Sequence, residues 1–192
     1  MDKESIASTT AKYFDQRNDP HEPWRNCYIN AMASLLSRST SSELNNFCGH
    51  GQDLSNAIYE SVGKFLAQFT SQDLATIGIK ENAKVFRFLH TFWPIWVEKN
   101  FDSLRVEYKV MNLKEIYEYI KKHNLPVVCS TRLTTAGHIV CVTGVDITTK
   151  TVTCHDPWGV YPYKNKFASG KYAIYDLPKI FDKEHNCQVL IQ

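Results

Sequence analysis

Two neighbouring stretches decide how this chain folds: Gly137-His138-Ile139-Val140-Cys141-Val142-Thr143-Gly144-Val145 and, after a polar link, Thr151-Val152-Thr153-Cys154-His155-Asp156-Pro157-Trp158-Gly159. Both are short, rich in β-branched residues and bounded by turn formers, which predicts two strands joined through Asp146-Ile147-Thr148-Thr149-Lys150. His138 opens the first strand directly after Gly137, whose lack of a side chain leaves room beside the imidazole. Asp156 closes the second, where Pro157 stops pairing and frees the carboxylate to turn towards His138. Side chains alternate across a sheet, so this pairing has a parity condition. A tight two-residue turn at Thr148-Thr149 sets Asp156 opposite Cys141, on the face that His138 does not share. A five-residue loop from Val145 to Thr149, or a β-bulge, restores the common face, and one of these is predicted.

Outward from this pair the period of the apolar residues changes. Arg105–Val110 alternates, Pro126–Thr131 is a short apolar run, and Tyr172–Tyr175 and Cys187–Ile191 supply two more candidate strands. The first half reads as helical. Leu54, Ile58, Val62, Phe65, Leu66 and Phe69 recur at three and four residues behind Asp53 as N-cap. Val85, Phe86, Leu89, Phe92 and Trp93 repeat that spacing until Pro94, where the pattern predicts an interruption. Leu113, Ile116, Tyr117 and Ile120 make a third stripe, with Asn112 and Glu115 placed as a capping box. Helices first and strands later predict an α+β fold, a helical N-terminal half packed on a C-terminal antiparallel sheet. The 192 residues show no repeat or Pro/Ser-rich linker, so one domain over residues 1–192 is expected.

Cys27 follows the turn-rich stretch Asn18–Asn26 and runs into Tyr28-Ile29-Asn30-Ala31-Met32-Ala33-Ser34-Leu35-Leu36, which has helical spacing. Its thiol is thus expected at a helix N-terminus, where unpaired N–H groups and the helix dipole favour a thiolate. Taken alone, Cys27 reads more readily as a small buried hydrophobe. With His138 as base and acid and Asp156 as the group that orients the imidazole, it reads as a nucleophile. Gln16, eleven residues upstream, is near enough in sequence for its amide to join the Cys27 N–H around an oxyanion, though a glutamine in a polar stretch is also an ordinary solvated residue.

Gln16-Arg17-Asn18-Asp19, then Trp24-Arg25-Asn26-Cys27 before a small-residue helix, then Gly137-His138, then Asp156-Pro157-Trp158-Gly159 together resemble the papain-like cysteine peptidases. The likeness is closest to the branch of bacteriocin-processing (double-glycine leader) peptidases. It implies the papain-like fold and assigns Gln16 to the oxyanion, Cys27 to the nucleophile, His138 to the base and Asp156 to orientation of the imidazole. Trp24, Tyr28, Gly137 and Trp158 are then expected to contact substrate, with Trp158 walling the imidazole from water. Where relatives commonly have Cys-Gly-Pro or Cys-Asn-x-Thr, this chain has Cys27-Tyr28-Ile29-Asn30, which bears on the shape of the oxyanion pocket. The resemblance implies neither a metal nor an organic cofactor.

A net charge of only +2 supplies no strong field for nonspecific binding of nucleic acid or an anionic membrane. No apolar run is long enough to span a bilayer, and Met1–Ser5 lacks the cationic start of a secretory signal, so synthesis in the cytoplasm is expected, with release to a cell wall requiring another route. The six cysteines include no Cys-x-x-Cys, and Cys129, Cys141 and Cys154 lie in strand-like runs that suit buried free thiols. Cys48 and His50 sit in a Gly-containing stretch that reads as a loop, because two ligands make no zinc site. His155 is expected to point away from Asp156 and make a structural hydrogen bond, and His21 to lie exposed in the loop before Cys27. The expected protein is a monomeric thiol hydrolase, a cysteine endopeptidase or amidase acting on a peptide. Likeness to peptidoglycan-cleaving enzymes, including phage lysins (endolysins), points to an amide of a wall peptide; a protein or ubiquitin-like substrate, or a noncatalytic peptide-binding relative, are the alternatives.

Overall fold

The computed structural model describes residues 5–18, 26–39, 41–48, 53–76, 90–134, 137–162, 168–176 and 184–191. Among them, helices α1 (Cys27–Leu36), α2 (Ser42–Cys48), α3 (Leu54–Leu66), α4 (Ser71–Thr76) and α5 (Phe92–Asn100) come before most of the sheet. Strand β1 (Ile6–Ser8) precedes them. After them come β2 (Arg105–Met111), α6 (Leu113–His123), β3 (Val127–Thr131), β4 (His138–Asp146), β5 (Thr151–His155), β6 (Ala173–Asp176) and β7 (His185–Ile191). The strands form one sheet in the order β2-β7-β3-β4-β5-β6, antiparallel throughout, with β1 added to β4. This is the α+β architecture that the sequence predicts.

Each face of the sheet buries its own apolar cluster. On one, Val128, Ile139, Cys141 and Leu190 pack against α1, α3 and α5. On the other, Val127, Cys129, Val140, Val142 and Val189 meet Ile116, Tyr117 and Ile120 of α6. Helix α1 is buried along its whole length, which is why its polar residues turn inward on the helix itself. The Asn30 amide donates to the Asn26 carbonyl at 3.0 Å and the Ser34 hydroxyl to the Asn30 carbonyl at 3.1 Å. Cys129, Cys141, Cys154 and Cys187 are fully buried free thiols.

Local capping follows the sequence closely. Asp53 Oδ1 accepts from the Ser55 N–H at 2.9 Å and starts α3. Asn112 Oδ1 accepts from the Glu115 N–H at 3.1 Å while Glu115 Oε2 accepts from the Asn112 N–H at 2.7 Å, completing the capping box of α6. Pro94 is a correction: it does not interrupt a helix but sits in the first turn of α5. There its missing N–H has no intrahelical partner to lose and its fixed φ suits the helix. Phe92, Trp93 and Trp96 are core residues, at 3%, 0% and 0% exposure, so they do not line a groove. Val85, Phe86, Phe88 and Leu89 lie outside the described residues. Helix α2 begins at Ser42, inside the polar stretch Ser37–Asn46.

The β4–β5 hairpin sets the geometry that matters for function. Near the turn, Asp146 pairs with Thr151, Val145 with Val152 and Gly144 with Thr153, the register of a tight turn, although four residues, Ile147–Lys150, make the link. A bulge at Thr143 then shifts the register, so that Val142 faces Cys154 and Cys141 faces His155. One step further on, Asp156 falls on the side of Val140, and therefore of His138. Strand β1 covers the bulge from the other edge: the Thr9 N–H donates to the Thr143 carbonyl at 2.8 Å. Gly144 eases the approach there, since a Cβ would make a tight 3.3 Å contact with the Ala7 carbonyl oxygen. The helix cap gives a direct stability test: Asn112→Ala is expected to cost about 1 kcal/mol, read as a lower urea midpoint at unchanged slope.

Candidate active site

Cys27 is the first residue of α1, and the preceding Asn26 makes no side-chain cap to the helix. First-turn N–H groups therefore point into the space beside the thiol. His138 starts β4, immediately after Gly137, whose φ of +79° is a conformation that favours glycine. His138 Nε2 lies 2.7 Å from Asp156 Oδ1, and its ring is within hydrogen-bonding reach of the Cys27 thiol. Exposures of 6%, 7% and 0% for Cys27, His138 and Asp156 put the three groups in a largely dry setting.

Burial by itself would lower the His138 pKa, but hydrogen bonds to Asp156 and Cys27, together with their charges, outweigh it and push the value up to about 10. His138 thus holds its proton at neutral pH beside the sulfur. Because its folded pKa is above the ordinary 6.5, its contribution to stability is full below about 6.5 and is lost as pH rises towards about 10.

Asp156 is held from several directions. Its Oδ1 also accepts from the Trp158 N–H at 2.9 Å, and its Oδ2 accepts from the Tyr175 hydroxyl at 2.7 Å. Its backbone N–H donates to the Gly170 carbonyl at 2.9 Å, and its carbonyl accepts from the Tyr13 hydroxyl at 3.2 Å. Gly170 admits no side chain, since a Cβ would lie 1.9 Å from the Asp156 carbonyl oxygen. Gly159, with φ +111°, closes the turn by donating to the same carbonyl at 3.2 Å.

The remaining expected residues divide. Gln16 is 3% exposed, not solvated, and heads a 3-10 turn, Gln16–Asn18, whose first N–H donates to the Pro157 carbonyl at 3.0 Å. That bond ties the Gln16 segment to the turn bearing Asp156. Trp158 contributes its backbone N–H to Asp156 and is half-buried. Tyr28 is a correction. Expected to contact substrate, it is 2% exposed and points into the core, where its hydroxyl accepts from Gln188 Nε2 at 2.9 Å and meets His90 Nδ1 at 3.0 Å. Consecutive helical residues diverge by about a quarter turn, so a bulky side chain after Cys27 fills the interior and leaves the site alone. Trp24, His21 and His50 lie outside the described residues.

Tyr175 and Tyr13 were not legible as site residues. The available signal was that Tyr175 falls on the inward side of a short strand, and a buried tyrosine hydroxyl needs a partner.

A cysteine at the N-terminus of a buried helix, facing a strand-opening histidine backed by a carboxylate, is the arrangement of a papain-like cysteine peptidase relative. The family model described as Peptidase_C39 like matches residues 8–177, and the chain belongs to that family. A search of curated proteins returned no match.

His155, next to Asp156, faces away from it: its Nδ1 donates to the Lys12 carbonyl at 3.3 Å, and its ring sits edge-on to Tyr13 and Tyr172. Its Nε2 is buried without a hydrogen-bond partner among the described residues. Burial lowers its pKa to about 4, the Lys12 carbonyl opposing this and the Lys171 charge adding to it. The unfolded chain therefore binds the extra proton between about 6.5 and 4, and stability falls as pH drops through that window. Urea midpoints measured from pH 7 to pH 4 are expected to decline steeply in the wild type and less steeply in His155→Phe.

Proposed function

We propose that this chain is a cysteine peptidase or amidase working through Cys27, His138 and Asp156. The observation that carries the reading is the geometry: His138 sits between the Asp156 carboxylate, 2.7 Å from its Nε2, and the Cys27 thiol at the start of α1. Cys27 Sγ adds to a scissile amide carbonyl, and the Cys27 N–H with the Gln16 amide receives the oxyanion. The C–N bond then breaks as His138 gives its proton to the leaving amine. A water that loses a proton to His138 hydrolyses the thioester and returns the sulfur. Asp156 keeps the imidazole oriented and supports its charge in both half-reactions.

The proposed bond is an amide in a peptidoglycan peptide, cut by a lysin-like enzyme; the support for this substrate is the sequence resemblance to peptidoglycan-cleaving enzymes, while the family match extends to cysteine peptidase chemistry alone. In this proposal the chain is a single catalytic domain that acts as a monomer on a peptide and is related to the bacteriocin-processing peptidases.

Iodoacetamide at pH 7 is expected to label Cys27 faster than the other five thiols and to abolish turnover, and His138→Ala to slow that labelling at least tenfold. Purified peptidoglycan incubated with the wild type should release fragments that Cys27→Ala does not. Release of Cys27-dependent fragments only from a denatured protein mixture would move the substrate to proteins. No Cys27-dependent product from either, with labelling unchanged in His138→Ala, would leave a peptide-binding relative instead of an enzyme.

A further inference from the structure

We propose that Tyr175 is a positioning residue for this site: its hydroxyl fixes the Asp156 carboxylate in the one orientation from which it can hold His138. The inference rests on the peptidase reading above and extends it to a residue that touches no reacting atom.

The carboxylate has two oxygens with separate tasks. Oδ1 serves the imidazole and the Trp158 N–H, both on one side. Oδ2 lies on the other side, and the residue is 0% exposed, so water is a poor substitute for a donor from the protein. The Tyr175 hydroxyl meets that demand at 2.7 Å. The hydroxyl has a single proton and two carbonyl-type acceptors within range, Asp156 Oδ2 and the Gly159 oxygen at 3.3 Å, and the shorter, charge-assisted bond takes it. Its own lone pair accepts from the Tyr161 N–H at 3.0 Å. That bond orients the phenol, so a backbone amide directs the hydroxyl, the hydroxyl directs the carboxylate, and the carboxylate directs the imidazole.

The sheet fixes where this chain of bonds begins. Tyr175 stands opposite Val152 in the β5–β6 ladder, on the inward side of β6, with Ala173 opposite Cys154. The β5–β6 register by itself puts Asp156, two residues beyond Cys154, on the face of Tyr175, and the Thr143 bulge in β4 brings Val142, Val140 and His138 to that same face. Burial and the nearby Asp156 charge keep the phenol protonated, so it acts as a donor throughout the working pH range. Without it, Oδ2 loses a close donor in a dry site, and the carboxylate is held less firmly against the ring.

The test needs no known substrate. The rate of iodoacetamide labelling at Cys27, read by mass analysis of the Cys27 peptide, is followed against pH for wild type, Tyr175→Phe, Asp156→Ala and the double variant, with melting temperature as a check of the fold. Tyr175→Phe keeps the ring and removes only the hydroxyl. It is expected to slow labelling at pH 7 about tenfold and to shift the pH profile, while in the Asp156→Ala background the same change has less than a twofold effect. Fluorotyrosine incorporated at position 175 keeps the hydroxyl and should hold the wild-type rate, which separates loss of the bond from loss of the fold. A wild-type rate and profile in Tyr175→Phe overturns the inference, as does an undiminished tenfold effect in the double variant. A wild-type rate in Asp156→Ala overturns the peptidase reading together with it, whereas a slow Asp156→Ala beside a normal Tyr175→Phe removes only the role of Tyr175.

Discussion

The extra residue at Thr143 is the constraint on which the site depends. The hairpin link leaves β4 and β5 in the register of a tight turn, and in that register Asp156 would face the wrong side of the sheet. One residue of slippage reverses the parity and turns two side chains eighteen positions apart into a 2.7 Å pair. The protein holds the slip from both sides. Thr143 donates its hydroxyl to the Thr153 carbonyl, the Thr9 N–H caps the Thr143 carbonyl, and Gly144 lets β1 come close. A three-residue N-terminal strand is therefore part of what places the carboxylate, although it lies far from Cys27 in the sequence.

The second constraint is dielectric. A carboxylate at 0% exposure would be costly if left alone, and here it is surrounded by an imidazole, a backbone N–H and a phenol. Those donors keep the carboxylate aimed at His138, whose proton affinity rises through its hydrogen bonds to Asp156 and Cys27. The neighbouring histidine shows the opposite outcome on the other face of the same strand. His155 has a carbonyl for one nitrogen, no partner for the other among the described residues, and a lysine nearby, so burial wins and it stays neutral. Adjacent imidazole and carboxylate residues thus acquire unrelated roles from alternation along a strand.

Much of this was legible in the sequence because its causes are local. The caps at Asp53 and Asn112, the strand periods and the start of α1 at Cys27 each follow from a few consecutive residues. The need for a bulge or odd loop was also legible, since parity is a counting argument, but not which of the two occurs: that choice depends on β1 and on Gly144 packing against it. Pro94 misled because a proline that breaks a helix interior is welcome in a first turn, and only the helix start distinguishes the cases. Tyr28 misled because adjacency in sequence to a nucleophile says nothing about direction on a helix, and its hydroxyl was claimed by Gln188 and His90, far along the chain. Tyr175 escaped notice for the same reason, as its partner lies 19 residues away at the end of the neighbouring strand.

The proposed chemistry depends on the charge state of one imidazole. Titration of the His138 ring nitrogens by proton–nitrogen NMR from pH 5 to pH 11 reads it without any substrate. Both ring N–H signals should persist through neutral pH, with loss of the proton near about 10. A ring that becomes neutral near its ordinary value of 6.5 would mean that Asp156 and Cys27 do not hold it as described, and the catalytic arrangement would have to be abandoned.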